Sequence, residues 1–267
     1  MLLLVTRVLT SLLGSSVTTD DDIIAPTFVF SGKAGKEDGE EHAVEELFSL
    51  DVDGFEIIRG GFAVSEAELD ALLRHAMSGN DVIFNNASVG DEENDGLRSQ
   101  VPFEKFVPMD DVAAALQQRL NVMHREMYPQ LTPNDTVILR SDAGCADQRS
   151  HTDYTPIDLR MPLAGAKEMP LASVVALMAN TFFDVWVGAV NCFGSTNDRI
   201  FRHRRLVLNA GDMLIFRGDL VHAGAGFGVF NIRIHTYLDA AGVRRAKNTT
   251  FYVDAAAGCD YVLPREI

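Results

Sequence analysis

The segment 211–237 constrains the fold more than any other part of this sequence. A short apolar run at 213–216 predicts a β-strand, and the Arg-Gly-Asp sequence after it predicts a turn. Beyond a glycine-rich bend at 224–228, inward and outward side chains alternate along 231–238, which predicts a second strand. Strands this close together are typical of a β-sandwich or barrel.

Other parts of the chain fit this prediction. Further strands are predicted at 54–61, 136–140, 171–178, 181–187, 200–208 and 250–253. Few helical periods separate these runs in the C-terminal half, so we expect one β-rich domain there.

Two helices are predicted in the N-terminal half. The first covers 65–75, where Ser65 is placed to be the N-cap and Glu68 completes a capping box. The second covers 109–127, where apolar residues recur every three or four positions. Between them, the polar and acidic stretch 81–100 predicts a long loop.

The chain has 267 residues, which suits one large domain. We expect a single domain over 1–267, with an N-terminal extension at about 1–50, a helical support region at 51–130 and a β-core at 131–255.

Residues 1–17 are mostly apolar but too short to span a bilayer, so no membrane span is expected. They form either a structural N-terminal element or a cleaved leader. The first case predicts a cytoplasmic protein, and the second an organellar or secreted one.

Charge and cysteine content argue against several classes of protein. A net charge of −15 makes nucleic-acid binding unlikely, because phosphate contacts require clustered Lys and Arg, although 199–205 is locally basic. Cys145, Cys192 and Cys259 are isolated from one another, so neither a disulfide framework nor a zinc motif is predicted.

Three residues have the chemistry of a metal site. His151 and Asp153 are two positions apart, which directs both side chains to one side of an extended segment. His222 follows the first predicted strand and its turn. Two histidines and one carboxylate form the facial triad that binds non-haem iron and leaves positions open. The alternative is that His151 is an exposed loop residue and Asp153 a turn or capping residue.

Arg233 lies among apolar residues of the second predicted strand. A buried guanidinium needs an anionic partner, and the carboxylate of a small organic acid would bind it with two hydrogen bonds. The alternative is an internal salt bridge to Asp184, Asp212 or Asp219.

The order His-x-Asp, distal His, then Arg, within the context Gly-Asp…Phe…His-x-Gly…Arg, resembles the iron(II)/2-oxoglutarate-dependent dioxygenases. The pattern is most similar to the phytanoyl-CoA-hydroxylase-like branch, and the resemblance covers about 136–238. It implies a mainly β fold with flanking helices around a double-stranded β-helix, a cupin-like jelly roll. It also implies that His151, Asp153 and His222 bind Fe(II), that 2-oxoglutarate chelates the metal, and that Arg233 pairs with the distal carboxylate of 2-oxoglutarate.

The resemblance further implies an oxidoreductase that uses O2 to hydroxylate, or otherwise oxidise, a C–H bond of a small-molecule substrate, with release of succinate and CO2. Halogenating members of the family lack the carboxylate that Asp153 supplies, so hydroxylation or a related oxidation is expected. The acidic balance favours an amino-acid-like or cationic substrate. The alternatives are a protein-side-chain hydroxylase of the same family and a non-catalytic, cupin-type binding protein.

Four further residues are candidates for the site. His235 and Tyr237 share the face of their strand with the arginine, so His235 is an alternative metal ligand, an outer-shell donor or a core histidine. Family spacing assigns the ligand role to the distal histidine of the motif instead. Arg140 and Tyr154 flank the predicted metal strand and either contact substrate or co-substrate, or simply pack.

Overall fold

The computed structural model describes residues 47–77, 85–86, 96–105, 110–155, 159, 168–190, 192, 201–243, 245, 251–254 and 260–261. The predictions for the N-terminal extension and for Cys259 lie outside these residues. No helix in the described part of the chain has the length and hydropathy that a bilayer crossing requires. The domain boundaries stay predictions.

The described ranges contain two α-helices, α1 (Glu66–Met77) and α2 (Asp111–Met127), and a 3-10 helix at Phe103–Lys105. The strands are β1 (Phe55–Ile58), β2 (Asn85–Asn86), β3 (Arg98–Pro102), β4 (Leu131–Ser141), β5 (His151–Thr152), β6 (Leu171–Ala176), β7 (Thr181–Val187), β8 (Arg202–Leu208), β9 (Met213–Arg217), β10 (His222–Gly224), β11 (Asn231–Ala240), β12 (Phe251–Asp254) and β13 (Asp260–Tyr261).

The strands form two antiparallel sheets. One sheet has the order β1-β9-β6-β11-β4-β3-β2, and the other has the order β13-β12-β5-β10-β7-β8. The central strands of each sheet, such as β6, β9 and β11 in one and β5 and β10 in the other, have neighbours that are distant in sequence, as in a double-stranded β-helix. The predicted fold class, mainly β with flanking helices and a jelly-roll core, is confirmed.

Apolar side chains from both sheets fill the space between them. The seven-stranded sheet contributes Phe55, Ala172, Val174, Ala176, Leu214 and Phe216, and the six-stranded sheet contributes Phe183, Val185, Leu206 and Leu208. Because side chains alternate along a strand, every second residue of β6 faces this core and the residues between face away from it.

The helices cover the outer face of the seven-stranded sheet. In α2, His124 forms a 2.9 Å hydrogen bond with the hydroxyl of Ser173, an outward residue of β6. The predicted capping box begins α1, where the Glu68 amide donates to Ser65 Oγ at 3.3 Å and the Ser65 amide donates to Glu68 Oε2 at 2.8 Å. The two predicted helices are therefore confirmed to within a turn.

The loop predicted at 81–100 is wrong in the parts that the structure describes. Asn85 and Asn86 pair with Gln100 and Ser99, and β3 pairs with β4. The sequence did not predict β3, because the inward side chains of this strand, Arg98 and Gln100, are polar and line a cavity. A strand with a polar inward face lacks the apolar and polar alternation that identifies a half-buried strand.

β4 begins earlier than predicted and includes Pro133. A proline cannot donate a hydrogen bond to a neighbouring strand, so it is tolerated where a strand has one neighbour. Pro133 pairs with Leu238 of β11, whereas the described register of β3 covers only Val137 to Ser141. Pro133, which lacks an N–H, therefore lies outside the described pairing of β4 with β3.

Candidate metal centre

Strands β5 and β10 place the two predicted histidine ligands side by side. His151 and His222 are direct partners in the antiparallel register, and their ring centroids are 4.5 Å apart. Asp153 follows β5, and one ligand atom from each of the three residues lies within 4.8 Å of the others. All three side chains are buried, so His151 is not an exposed loop residue and Asp153 is not a surface cap.

The backbone fixes the orientation of both imidazoles. The Nδ1 of His151 donates to the Arg149 carbonyl at 2.7 Å, and the Nδ1 of His222 donates to the Leu220 carbonyl at 3.0 Å. Because Nδ1 carries the hydrogen in each ring, Nε2 keeps its lone pair for a metal ion. Burial, with a contribution from His222, lowers the pKa of His151 to about 4, so this imidazole is neutral at physiological pH.

Two phenylalanines hold the ring of His222 between them. Phe183 stacks on the imidazole with centroids 5.3 Å apart, and the centroid of Phe216 lies 4.7 Å from that of the imidazole. Both phenylalanines belong to the core between the sheets. The position of His222 is therefore determined by core packing as well as by its hydrogen bond.

Asp153 has the geometry of a metal ligand. Its Oδ1 lies 3.6 Å from Nε2 of His222, which is too long for a hydrogen bond but less than twice a metal–ligand bond of about 2.1 Å. Its Oδ2 is buried and accepts no hydrogen bond from the residues that the structure describes. Burial alone would raise the pKa of Asp153, but His222 and His235 hold that pKa well below its usual range. The donor set, two imidazoles and one carboxylate, fits a divalent iron site.

Arg233 is a buried cation without a carboxylate partner in the described residues. Only 2% of the residue is exposed and its Nη1 donates to Ser141 Oγ at 3.1 Å, while its buried Nε has no hydrogen-bond partner in the described part of the chain. The face of its guanidinium lies over the ring of Phe227, 5.4 Å from the centroid. Burial, with a contribution from Arg98, lowers the pKa of Arg233 to about 9, so it stays charged at neutral pH.

The alternative prediction, an internal salt bridge between Arg233 and one of three aspartates, is wrong. Each of the three candidate carboxylates pairs with a different arginine: Asp184 with Arg205, Asp212 with Arg59 and Asp219 with Arg217. None of these three carboxylates therefore neutralises the charge of Arg233 among the described residues.

A cavity connects the triad with this guanidinium. It is lined by residues from both sheets: Arg98, Gln100, Leu139, Gln148, His151, Asp153, Phe183, His222, Gly224, Arg233, His235 and Tyr237. His235 and Tyr237 thus line the site, as the alternation along their strand predicted.

The structure does not bring Arg140 or Tyr154 to the cavity. Arg140 follows Leu139, which lines the cavity, so its side chain lies on the other face of β4, where it pairs with Asp142 at 2.8 Å. Tyr154 is buried and donates to Asp239 at 2.6 Å. Both side chains have partners inside the framework, which favours the packing alternative, and their contact with substrate stays a prediction.

Sequence reasoning missed Arg98 and Gln148. The Nη2 of Arg98 donates to the carbonyls of Ala146 at 2.6 Å and Ala225 at 3.0 Å, which ties together the loops before His151 and after His222. The Gln148 carboxamide accepts from the Gly224 amide at 2.9 Å, and a Cβ at Gly224 would lie 2.3 Å from it. Gly224 therefore leaves room for the Gln148 carboxamide beside its backbone.

The strand predicted at 250–253 is observed as β12, next to the candidate metal site. It pairs with β5, and Tyr252 is the register partner of His151. The Ser150 hydroxyl also bonds to the Val253 carbonyl, at 2.5 Å. β12 thus flanks the strand that carries the first metal ligand.

Comparison with family models and with curated proteins finds no match to this sequence. Solved structures are similar in fold. SnoN, a non-heme alpha ketoglutarate dependent epimerase from nogalamycin biosynthesis, is 16% identical with a TM-score of 0.52, over 76% of this chain and 81% of that chain. SnoK, a carbocyclase with the same dependence, is 13% identical with a TM-score of 0.51, over 76% and 83%.

HygX from Streptomyces hygroscopicus, solved with nickel, 2-oxoglutarate and hygromycin B bound, is 16% identical with a TM-score of 0.50, over 72% of this chain and 85% of that chain. At such identities the likeness concerns the fold. The chain shares a double-stranded β-helix with these solved structures over 72–76% of its length.

Proposed function

We propose that this protein is an Fe(II)- and 2-oxoglutarate-dependent oxygenase that oxidises a C–H bond of a small molecule and releases succinate and CO2. One observation carries the proposal: three buried metal-binding side chains share one cavity with a buried arginine that has no carboxylate partner in the described chain. The cavity therefore offers three ligands for a metal ion and a cation for an organic acid.

His151, Asp153 and His222 would hold the iron through two Nε2 atoms and one carboxylate oxygen. When bound, the iron and 2-oxoglutarate supply the oxidising chemistry. Three protein ligands leave the other positions of the metal open for co-substrate and O2. The backbone bonds to both Nδ1 atoms orient the imidazoles before any ligand arrives.

Arg233 would bind the distal carboxylate of 2-oxoglutarate. A guanidinium can donate two parallel hydrogen bonds to a carboxylate, and the open Nε of Arg233 is available for one of them. Ser141 Oγ already accepts from Nη1 and so fixes the plane of the guanidinium. Phe183 and Leu139, which line the cavity, exclude water and strengthen the electrostatic attraction.

The structural neighbours support a small-molecule substrate. SnoN is described in complex with Fe3+, alpha ketoglutarate and nogalamycin RO, and HygX with hygromycin B. SnoN is described as an epimerase and SnoK as a carbocyclase, so outcomes other than hydroxylation occur on this fold. The carboxylate of Asp153 favours hydroxylation over halogenation here, and membership of the phytanoyl-CoA-hydroxylase-like branch stays a prediction.

Anaerobic titration with Fe(II) and 2-oxoglutarate tests the proposal. The wild-type protein should develop the weak visible charge-transfer absorption expected of this family, and His151→Ala should abolish it. His203→Ala is the matched control, because the exposed His203 lies on β8, outside the triad, and pairs with Asp184. Folded wild-type protein that gives no absorption, or a His151→Ala variant that keeps it, would favour a non-catalytic cupin-type binding protein.

A further inference from the structure

His235 is a third imidazole in the cavity, and the proposed metal site does not use it. It lies on β11, two positions beyond Arg233, and is 7% exposed. Its Nε2 lies 3.4 Å from Oδ2 of Asp153. Unlike the two triad histidines, it has no carbonyl among the described residues to accept from its ring.

The geometry separates His235 from the triad. Ligand atoms of His151, Asp153 and His222 form a mutual cluster within 4.8 Å, and His235 is not part of it. The two oxygens of Asp153 face different imidazoles: Oδ1 faces His222 at 3.6 Å, and Oδ2 faces His235 at 3.4 Å. His235 therefore faces the oxygen of Asp153 that is not the one facing His222.

The number of oxygens that Asp153 gives to a metal determines how many positions stay open. A carboxylate can bind through one oxygen or through both, and a second bond would occupy a position that co-substrate or O2 requires. Outer-shell hydrogen bonds to a ligating carboxylate orient it and tune its affinity for the metal. Oδ2 is buried and has no other donor among the described residues, so it is the atom to which such a bond would be directed.

We propose that His235 is a positioning residue that donates its Nε2 hydrogen to Oδ2 of Asp153 and keeps this ligand bound to the metal through Oδ1 alone. The inference rests on the metal site of the proposed function. The 3.4 Å contact is longer than an ideal hydrogen bond, and catalytic hydrogen bonds commonly tighten in the complex. The ring of Tyr237, with its centroid 4.5 Å from that of His235, keeps the imidazole in place.

Co(II) binding to two variants of this residue tests the inference. His235→Leu removes the donor and should weaken Co(II) affinity by about 10–100-fold, the range for lost outer-shell partners. It should also change the visible absorption bands of Co(II), because a carboxylate that binds through two oxygens changes the coordination number. His235→Gln keeps an N–H donor near the position of Nε2 and should restore most of the affinity and the wild-type bands. Circular dichroism checks that each variant folds.

His203→Leu is the matched control, because it makes the same substitution on β8, outside the cavity. Wild-type Co(II) affinity and bands in His235→Leu would overturn the inference. So would equal losses in His235→Leu and His235→Gln, because these would indicate that His235 is itself a ligand.

His151→Ala separates the inference from the proposed function. If it binds Co(II) as tightly as wild type does, the metal is not at the triad and both conclusions fail. If it loses the metal while His235→Leu does not, only the role of His235 is refuted.

Discussion

Arg217 and Arg233 are both strand arginines with mostly buried side chains, and they differ in how their charge is neutralised. Arg217 donates through Nε and Nη2 to both oxygens of Asp219, each at 2.9 Å. Among the described residues, Arg233 donates to the hydroxyl of Ser141 and its Nε has no partner. The framework thus supplies a carboxylate for Arg217, whereas no carboxylate in the described part of the chain pairs with Arg233.

The difference between Arg217 and Arg233 shows which unpaired groups indicate a binding site. Single buried atoms without hydrogen bonds also occur in the framework, for example Nδ1 of His124. A buried charge without a counter-charge is more informative, because an unpaired buried ion costs several kcal/mol unless a ligand neutralises it. Arg233 meets this stricter criterion within the described residues.

The largest expected effect contrasts two buried aspartates. Asp219→Ala should lower the free energy of unfolding by about 3–5 kcal/mol, because it leaves Arg217 buried without its carboxylate. Asp153→Ala should instead reduce metal affinity by more than about 100-fold, since a ligand matters more than the outer-shell partners that give 10–100-fold. Urea denaturation and calorimetric titration with Mn(II) measure the two effects. Loss of stability without loss of metal affinity in Asp153→Ala would place this residue in the framework.

The two arginines should respond to the same substitution in opposite ways. Arg233→Met removes an unpaired charge and should raise the melting temperature of the metal-free protein, whereas Arg217→Met should lower it. Arg233→Met should also weaken 2-oxoglutarate binding by ~1.5–3 kcal/mol, about 10–150-fold, with metal affinity nearly unchanged. Calorimetry on the metal-loaded protein measures both affinities. Unchanged 2-oxoglutarate affinity would show that the carboxylate binds elsewhere.

A smaller effect concerns a framework histidine. Burial lowers the pKa of His124 to about 3. Between that value and the ordinary histidine pKa of about 6.5, the unfolded chain binds more protons than the folded one, so stability falls as pH falls through this window. The contribution approaches about 1.4 kcal/mol per pH unit. His124→Gln should flatten the plot of unfolding free energy against pH between those limits, and an unchanged slope would contradict the assignment.

The smallest effect tests the framework far from the cavity. Ser65→Ala removes the side-chain half of the capping box of α1 and should cost about 1 kcal/mol of stability. Metal and 2-oxoglutarate affinities should not change. A change in either affinity would show that the helices influence the cavity, which would weaken the distinction between framework and site.

The sequence predicted the fold well where strands have an apolar inward face. β7 matches its predicted range of 181–187, and β9 and β11 extend only one or two residues beyond theirs. β3 was missed because its inward residues line the cavity and are polar. The chemistry that makes a strand part of a binding site therefore removes the pattern that identifies it as a strand.

The sequence predicted the main residues of the site but not all of their contacts. The order of His151, Asp153, His222 and Arg233 was sufficient to predict that the four would share one cavity, and they do. The pairing of Arg140 with Asp142 and the contact of His235 with Asp153 depend on strand register and side-chain direction. Those are set by tertiary packing, which spacing along the chain does not encode.

Metal binding by the triad and carboxylate binding by Arg233 are tested most directly by a crystal structure, from crystals grown without oxygen in the presence of Mn(II) and 2-oxoglutarate. We expect one anomalous-scattering peak about 2.1 Å from His151 Nε2, His222 Nε2 and one oxygen of Asp153. We also expect density for 2-oxoglutarate whose distal carboxylate contacts Arg233. A metal peak away from the triad, or an occupied triad with the distal carboxylate not on Arg233, would contradict the proposed site.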